Sequence, residues 1–351
     1  MKAKTPTNHN DDLSKKISES QQLELSVLKK RFNTLLLNPD FHARLKTDDF
    51  DLNLVYPQTS ELNELYEQLT DLKKCLDSFR PLNPSQLKNL QQAFDVEYTY
   101  ESNRIEGNTL TLMETDLVIH KGITIDGKPM KDHLEAVNHQ DAIDLIRELA
   151  QNDIEFNQNS LLKIHALILQ GIDRVNAGMY RRDRVRISGS RHICPNPIKV
   201  PQLMDEYFLF YEQNKSTMHP VALAGNMHEK LVTIHPFIDG NGRTARLVMN
   251  LILLKYGYPI TILASDKTKR ANYYSTLEQA QISTIRETDP AYNNNFQALV
   301  ANYVKDWLFK YLNMFAASIN DDSKDKGDYF YRQVEPYLSL KRTVKVRFNN
   351  R

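Results

Sequence analysis

Cysteine is nearly absent from this 351-residue chain, which carries only Cys75 and Cys194. Two cysteines cannot build a disulfide framework and are too few for a cysteine-based zinc site. Long apolar runs are missing as well, and the amino-terminal residues have no apolar core of the kind that a signal peptide needs. These absences lead us to expect two ordinary thiols in a cytoplasmic protein that has no membrane partner.

An excess of charge of one sign is also lacking, because 45 Lys and Arg residues stand against 44 Asp and Glu residues, a net charge of +1. This balance argues neither for nor against a polyanionic partner, so it gives no reason to expect nucleic acid. The hydrophobic fraction of 41% is typical of globular proteins rather than disordered ones. A chain of this length can bury a real core as one large or two moderate domains.

Apolar residues recur at three- and four-residue steps through most of the chain, a pattern that predicts helices. It begins after a polar tail at 1–18 and includes the leucines between 23 and 36. Thr111 and Glu114 fit a capping box for a short helix that ends near Lys121. Further helices are predicted at 60–79, 84–103, 132–151, 159–171, 201–214, 219–234, 242–257, 266–281 and 296–318. The predicted fold is nearly all-α.

One stretch departs from the helical pattern. RVRISGSRHICPNP, residues 184–197, has β-branched residues on both sides of Ser188-Gly189-Ser190, which is a turn signal between two extended arms. A surface loop is the ordinary interpretation of an isolated stretch of this length. Because a lone hairpin is marginal in water, a hairpin here needs support from elsewhere and is expected to lie over a site.

The stretch HPFIDGNGRTAR, residues 235–246, concentrates polar chemistry around two glycines. Asp239-Gly240-Asn241-Gly242 is a turn that can leave successive backbone N–H groups pointing one way. A helix is predicted to begin at about Arg243. A glycine-rich turn that leads into a helix N-terminus makes an anion site.

Charged side chains around this turn suit an oligophosphate. Arg243 and Arg246 are one helical turn apart, so both guanidinium groups can address the same phosphate chain. Asp239 offers a hard oxygen ligand for Mg²⁺ beside those phosphates. His235 can accept a proton from an attacking hydroxyl.

Other interpretations of these residues are weaker. The Walker A pattern is absent because no Gly-Lys-Ser/Thr follows the glycines, and the zincin pattern fails because Val232 stands where His228-Glu229 requires a histidine. A helix–turn–helix corner with a capping aspartate and two surface arginines is the plain alternative, and the many specified residue types of the motif argue against it. His133 and His139, on a polar helical face, are expected to be solvated rather than metal-bound.

The motif resembles the Fic-family signature HPFx(D/E)GNGRxxR and matches it at every specified position. The resemblance implies the Fic fold, an all-α helical bundle with a small β-hairpin flap, preceded by an N-terminal helical region. It also implies protein adenylyltransferase activity, in which AMP moves from ATP to a Ser, Thr or Tyr hydroxyl of a target protein. The implied divisions are a flexible tail at 1–18, an N-terminal helical region with an inhibitory helix at 19–122, a Fic core with its supporting helices at 123–318, and a tail at 319–351.

The resemblance assigns roles to residues of this chain. His235 is the implied general base and Asp239 the implied Mg²⁺ ligand, so that ATP is the implied substrate and Mg²⁺ the implied cofactor. Arg246 is implied to hold the γ-phosphate. The implied ATP-binding residues are Gly240, Asn241, Gly242, Arg243, Thr244, Ala245, Arg246 and Tyr274.

Two further regions gain expectations from the same resemblance. The flap falls at 185–195 and is implied to register the target segment by strand addition; its implied docking residues are Ile187, Gly189 and Ile193. Tyr273 and Tyr274 stand where members place aromatics against adenine, although helical tyrosines as often pack in a core. Gln281 replaces an asparagine that contacts the nucleotide in some members, so that contact stays unassigned.

A second motif, SNRIEGN at 102–108, resembles the family's inhibitory motif (S/T)xxxE(G/N), here Ser102, Glu106 and Gly107. Glu106 stands near a helix end, where its carboxylate can pair bidentately with an arginine. An exposed helix-end glutamate is the plain alternative. The resemblance implies that the partner is Arg246, so that Glu106 occupies the guanidinium that the γ-phosphate needs.

Three functions remain open from the sequence. The first is a self-inhibited, Mg²⁺-dependent transferase of AMP. The second is removal of AMP from a modified target, with Glu106 positioning water, and the third is a non-catalytic module whose N-terminal helices bind a partner. The intact His235, Asp239 and arginines argue against the third. The target is not identified, the chain itself being one candidate, and a homodimer is an expectation from the family.

Overall fold

The structure is a computed structural model that describes residues 49–51, 59–77, 84–283, 286, 288–318 and 345–347. The predicted tail at 1–18, the helical pattern between 23 and 36, and most of the predicted tail at 319–351 lie outside these residues. Ten α-helices form within the described ranges, and none of them is long and apolar enough to span a bilayer.

The helices are numbered here in chain order. They are α1 (Thr59–Asp77), α2 (Pro84–Ile105), α3 (Leu112–Lys121), α4 (Met130–Gln151), α5 (Gln158–Ile168), α6 (Val200–Asn214), α7 (Pro220–Ile234), α8 (Asn241–Lys255), α9 (Lys267–Ile282) and α10 (Asn294–Ser318). Every helix predicted between residues 60 and 318 is present, with its ends within a few residues of those expected. The capping box of α3 is confirmed, since Glu114 N donates to Thr111 Oγ1 and Thr111 N donates to the Glu114 carboxylate.

The chain divides into two compact units. The smaller comprises Met1–Asn53, Asp71–Arg80 and Phe309–Arg351; in its described part, strand β1 (Asp49–Asp51) pairs in parallel with β2 (Lys345–Arg347). Three-residue strands so far apart in the chain leave no local pattern, so the sequence did not predict them. The larger unit, Leu54–Thr70 and Pro81–Leu308, contains every residue of the site described below. The predicted domain divisions stay predictions.

Helix α8 positions the site because it is buried around its whole circumference. Twelve of its fifteen residues are buried, which marks a helix inside the fold. Helices α2, α4, α5 and α7 contact it. Each Leu, Ile or Val that becomes fully buried contributes roughly 1.5–3 kcal/mol, so the apolar residues of Leu247–Leu253, with Asn250 bonded to Thr261 among them, fix the polar first turn of α8 in place.

The predicted β-hairpin is wrong in part. Its turn is present, since Ser190 N–H donates to the Ile187 carbonyl and Gly189 has a φ of +76°. In the part of the chain that the structure describes, however, no backbone hydrogen bonds join the two arms, so neither arm is a strand. A two-stranded ladder is marginal by itself, and side-chain contacts with the helices hold this segment instead.

Candidate active site

His235 follows the last turn of α7 in a left-handed conformation, with φ +52° and ψ +58°. The chain leaves the helix here because Pro236 disfavours a helical conformation in the residue before it. The His235 N–H still donates to the Leu231 carbonyl, and Arg181 Nε donates to the His235 carbonyl at 2.7 Å. These two bonds fix the backbone on both sides of the imidazole.

The imidazole of His235 is held in one tautomer. Nδ1 lies 3.2 Å from the carbonyl oxygen of Val232, and because a carbonyl only accepts, Nδ1 carries the proton. Nε2 therefore keeps its lone pair, and it has no hydrogen-bond partner among the described residues. Burial lowers the pKa of His235 to about 4, so the ring is neutral at pH 7. The geometry leaves Nε2 free to accept a proton.

Asn241 closes the loop that follows His235. Its Oδ1 accepts from Phe237 N at 3.0 Å, and its Nδ2 donates to the Phe237 carbonyl at 2.9 Å. Both polar groups of the side chain are thus committed to the loop. What Asn241 can offer to an anion is its backbone N–H.

His165 of α5 braces the same loop from outside. Its ring stacks on Phe237 with centroids 3.6 Å apart. Gly178 N–H donates to Nδ1 at 3.0 Å, so Nε2 carries the proton and donates to the Asp239 carbonyl at 2.9 Å. Burial lowers the pKa of His165 to about 4, which keeps this neutral form. His165 was not among the predicted site residues.

The first turn of α8 is open to an anion. Gly240 precedes it with a φ of +78°, and no side chain caps this N-terminus, so the first N–H groups of the helix are left for a ligand. Thr244 and Ala245 lie one turn further, with completely buried side chains. Thr244 N–H already donates to the Gly240 carbonyl, and the predicted ATP contacts of these two residues stay a prediction.

Arg243 is 2% exposed and pairs with Glu135 of α4, its NH1 donating to Oε1 at 2.9 Å. The other oxygen of Glu135 accepts from Asn108 Nδ2 at 2.9 Å, and its carbonyl accepts from Asn103 Nδ2. Glu135 therefore ties the predicted phosphate ligand to the 102–108 segment, which is predicted to be inhibitory. Arg243 Nε is buried without a partner, a costly state that an additional acceptor would relieve.

Arg246 is bound by the 102–108 segment. Its Nε donates to Ser102 Oγ at 3.0 Å, and its NH2 donates to the Ser102 carbonyl at 2.9 Å and to Glu106 Oε1 at 2.8 Å. The pair predicted as bidentate is therefore made by one nitrogen, because Ser102 takes the Nε edge. Burial is the largest single influence on Arg246 and opposes its charge, but the Glu106 carboxylate together with Tyr273 and Tyr274 outweighs burial and raises the pKa of the guanidinium. NH1 is buried without a partner.

Gly242 makes room for this arrangement. A Cβ atom added there would clash with Glu106 Oε1 and lie 3.2 Å from Arg246 NH1. Only glycine at this position lets the carboxylate lie against the first turn of α8. A negative group thus already sits at the end of the helix that attracts anions.

Asp239 projects from the same loop, with its side chain 49% exposed. Oδ1 accepts from Gly240 N at 2.6 Å and lies 3.5 Å from Arg243 NH2, and Oδ2 lies 3.9 Å from Lys131 Nζ. Within the described residues, no three His, Cys, Asp or Glu side chains gather to hold a metal ion. One hard carboxylate suits Mg²⁺, which takes one or two carboxylates together with phosphate oxygens and water.

The two predicted adenine-side tyrosines of α9 differ. Tyr273 is buried, with its hydroxyl 3.0 Å from His228 Nε2, so it packs in the core. Tyr274 is 40% exposed, and its hydroxyl donates to the carbonyl of Ile105 at the end of α2. An aromatic ring that is open on one side can stack on a base. Gln281 is buried.

The 185–195 flap is held to α9 by Glu278. Its carboxylate accepts from Ser190 Oγ at 3.0 Å, from Arg191 N at 2.6 Å and from the Arg191 side chain at 3.2 Å. These bonds, led by the one from Arg191 N, lower the pKa of Glu278. Further along, His192 Nε2 donates to the Thr233 carbonyl at 2.9 Å. Ile187 is half-buried and Ile193 exposed.

The expectation that His133 and His139 are solvated is wrong. Both are buried. His133 Nε2 accepts from Ile125 N at 2.8 Å, and His139 Nδ1 lies 3.2 Å from Thr99 Oγ1. Their polar face points inward because it binds the loops and the arginines of the site. Burial first, and then the charges of Arg246 and Arg243, hold the pKa of His139 well below its usual range.

Four residues of the site, His165, Glu135, Arg181 and Glu278, escaped the sequence analysis. Their partners lie 74, 108, 54 and 87 residues away in the chain. Pairs so far apart in the chain leave no local sequence pattern that could predict them. For Glu135 the one visible signal was the polar face of α4, where it lies one turn before His139; Arg181 lies outside the helices and had no such signal.

The sequence of this chain is similar to those of known proteins. Residues 155–253 match the model of the Fic/DOC family. Protein adenylyltransferase Fic of Drosophila grimshawi is 36% identical over 257 residues, which are 73% of this chain and 51% of that protein. The chain spans about half the length of the curated relatives it matches.

The fold is also similar to those of solved structures. Fic-1 from C. elegans superimposes with a TM-score of 0.65 at 25% identity, over 88% of this chain and 86% of that one. A Fic domain containing signaling protein from Bacteroides thetaiotaomicron gives 0.61 at 30% identity, over 72% of this chain and 96% of that one. The predicted helical Fic architecture is confirmed.

Proposed function

Because this chain belongs to the Fic/DOC family, we propose that it transfers AMP from ATP to a hydroxyl group of a target protein. The observation that carries the proposal is the state of His235. Its Nδ1 proton is committed to Val232, its ring is neutral, and Nε2 is free. An attacking hydroxyl needs a base in this state.

The reaction follows from the groups around His235. Nε2 takes the proton of the acceptor hydroxyl, and the oxygen attacks the α-phosphorus. The bond from that phosphorus to the oxygen that bridges the α- and β-phosphates breaks, and pyrophosphate leaves. The N–H groups at the start of α8, with Arg243 and Arg246, stabilise the negative charge on the phosphates. Asp239 would hold Mg²⁺, which neutralises phosphate charge when it is bound.

Self-inhibition is the second part of the proposal. Glu106 and Ser102 occupy the donors of Arg246 that the γ-phosphate needs. ATP must then displace a carboxylate from a nearly unexposed arginine, or bind with its γ-phosphate elsewhere. Gly107, which follows with a φ of +99°, supplies the turn that brings Glu106 to this point.

Removal of AMP from a modified target is a second candidate. The Glu106 carboxylate is close enough to His235 to influence its charge, and there it can position a water molecule for attack on a protein-bound AMP. A non-catalytic module is disfavoured because buried guanidinium N–H groups of Arg243 and Arg246 lack partners, which a scaffold has no reason to retain.

The experiment is incubation of wild-type and Glu106→Gly protein with Mg²⁺ and ATP labelled on the α-phosphate, with parallel samples labelled on the γ-phosphate. Transfer of AMP labels protein hydroxyls only from the α-label, and mass spectrometry locates them, on the chain itself or on an added target. Label from the γ-phosphate alone would indicate phosphorylation and overturn the proposal. A preformed AMP-modified product tests removal: wild type should release AMP, and Glu106→Gly should not, if the second candidate holds.

A further inference from the structure

The segment that leads into the flap carries an unusual run of charge. Residues 182–187 read RDRVRI, and we call them the arginine arm. Arg182, Arg184 and Arg186 are exposed, whereas the alternate residues Val185 and Ile187 are half-buried. The chain bends at Asp183, and the alternation of exposed and half-buried residues holds from Arg184 to Ile187. Because residues two apart in an extended chain lie on the same side, Arg184 and Arg186 form one row, and Arg182 precedes it just before the bend.

The row has no counter-charge of its own. In the described structure, none of these three arginines makes a hydrogen bond, an ion pair or a ring contact. Arg191, on the far side of the turn, differs because Glu278 binds it. The single acid within the arm is Asp183, so the arm keeps a net positive charge.

The backbone of the arm is only partly satisfied. The Asp183 carbonyl accepts from Arg181 NH1 at 3.0 Å, and the Ile187 carbonyl accepts from Ser190 N–H at 3.2 Å. Within the described residues, no ladder joins it to the other arm of the flap. Backbone N–H and C=O groups left free along an extended segment recruit another strand. The flap itself is fixed in position, because Arg191 N donates to Glu278 and His192 donates to the Thr233 carbonyl.

The arm begins beside the loop that contains His235 and Pro236. Arg181, the residue before it, donates its N–H to the Pro236 carbonyl at 2.8 Å and its Nε to the His235 carbonyl at 2.7 Å. At roughly 3.3 Å per residue, the three free arginines lie within about five residues of that anchor. A target segment that is paired with the arm would place its hydroxyl near His235 and its neighbouring residues against the arginines.

We propose that the arginine arm selects an acidic, extended protein segment, in which Asp or Glu residues alternate within about five residues of the acceptor hydroxyl. The inference rests on the proposed function and names the class of its protein substrate. Main-chain pairing supplies docking, and carboxylates opposite the arginines supply selectivity. An exposed charge pair strengthens binding about two- to fivefold, so three pairs should amount to roughly tenfold or more.

The test uses Glu106→Gly protein, Mg²⁺-ATP and synthetic peptides with one central threonine. Flanking positions carry alternating Glu, Gln or Lys, and a second Glu peptide has its glutamates moved by one position. A peptide in the matching register should show a KM about tenfold below that of the Gln peptide, and the difference should shrink at high salt. The preference should disappear in the triple variant Arg182→Gln, Arg184→Gln and Arg186→Gln.

A charge-matched control replaces Lys121, Lys163 and Lys267, exposed residues on other helices or their ends, with Gln and should keep the preference. Equal KM values for Glu and Gln peptides, or a preference that survives in the arginine variant, would overturn the inference. So would peptides left unmodified while the protein modifies itself. If poly-uridine RNA binds through the three arginines and no acidic preference exists, the arm binds nucleic acid instead. Loss of both peptide modification and self-modification would instead reject the proposed function, and the inference with it.

Discussion

Replacing Glu106 by glycine should activate the protein by an amount that its contact with Arg246 sets. The NH2–Oε1 bond is 2.8 Å long, Arg246 is 1% exposed and the Glu106 side chain is 31% exposed. A hydrogen bond between charged groups contributes roughly 1.5–3 kcal/mol, and the exposed third of Glu106 reduces this to about 1–2 kcal/mol. If ATP must pay that cost to reach Arg246, removing it should raise the rate about 5- to 30-fold.

The assay measures the initial rate of AMP incorporation from α-labelled ATP into the protein itself. Glu106→Gln, which keeps the shape but not the charge, should give an intermediate rate. Arg246→Ala in the Glu106→Gly background should abolish the gain, since the released guanidinium is then missing, and a double-mutant cycle should be strongly non-additive. A Glu106→Gly rate within twofold of wild type would refute the reasoning.

The remaining predictions concern His235, the Mg²⁺ ligand Asp239, His165 and the pKa values of the buried histidines. His235→Ala should lower AMP transfer about 10²- to 10⁴-fold, while its affinity for ATP, measured by calorimetry, is retained. In the protein that keeps His235, the rate should fall only as the pH drops towards 4. Full activity of the variant would remove His235 from the mechanism. Asp239→Asn should raise the Mg²⁺ concentration for half-maximal rate at least about tenfold, whereas an unchanged Mg²⁺ titration would exclude the carboxylate as a ligand. His165→Phe keeps the stack on Phe237 but loses both hydrogen bonds of the imidazole, the one from Gly178 N–H and the one to the Asp239 carbonyl. The kcat should therefore fall at temperatures where the variant is still folded, and an unaltered kcat would leave His165 a packing residue. Burial lowers the pKa of His165, His219 and His235 to about 4 and of His228 to about 3. The folded state therefore binds fewer protons than the unfolded state below pH 6.5, and each residue costs up to about 1.4 kcal/mol per pH unit as the pH falls from there. Tm should drop by about 10 °C or more between pH 6.5 and 5, a result that a flat Tm profile would contradict.

Local signals in the sequence predicted most of the fold. The helices were visible from apolar spacing, and α3 from its capping box, because both depend on residues within one or two turns of each other. The motif at 235–246 was visible for the same reason: turn, helix start and arginines are contiguous. Ser102 and Glu106 lie one helical turn apart, and they reach Arg246 as the resemblance implied.

What the sequence missed depends on which side of an element faces the core. The polar face of α4 looked like a solvated one, but Glu135 and His139 on it are buried against Arg243 and Thr99. Polar residues point outward unless partners elsewhere satisfy them, and those partners come from distant helices. The prediction of a hairpin at the flap failed for a similar reason. β-branched residues indicate extended backbone, but they do not decide what the backbone pairs with.

Helix α2 carries Glu106 just beyond its end while its body lies in the core, with Tyr98, Ser102 and Ile105 buried. Such a helix cannot move away without local unfolding, so under the proposed self-inhibition Arg246 is released by rotation of the Glu106 side chain about its own bonds. Rotamer changes of partly exposed side chains take picoseconds to nanoseconds, far less than a catalytic turnover. The proposed self-inhibition is therefore a rapid equilibrium between a paired and a released side chain of Glu106. Under that proposal every molecule samples the released state within each turnover, and the basal rate reports the fraction of time spent there. Amides along α2 should accordingly stay as protected from hydrogen exchange in the Glu106→Gly protein as in the wild type.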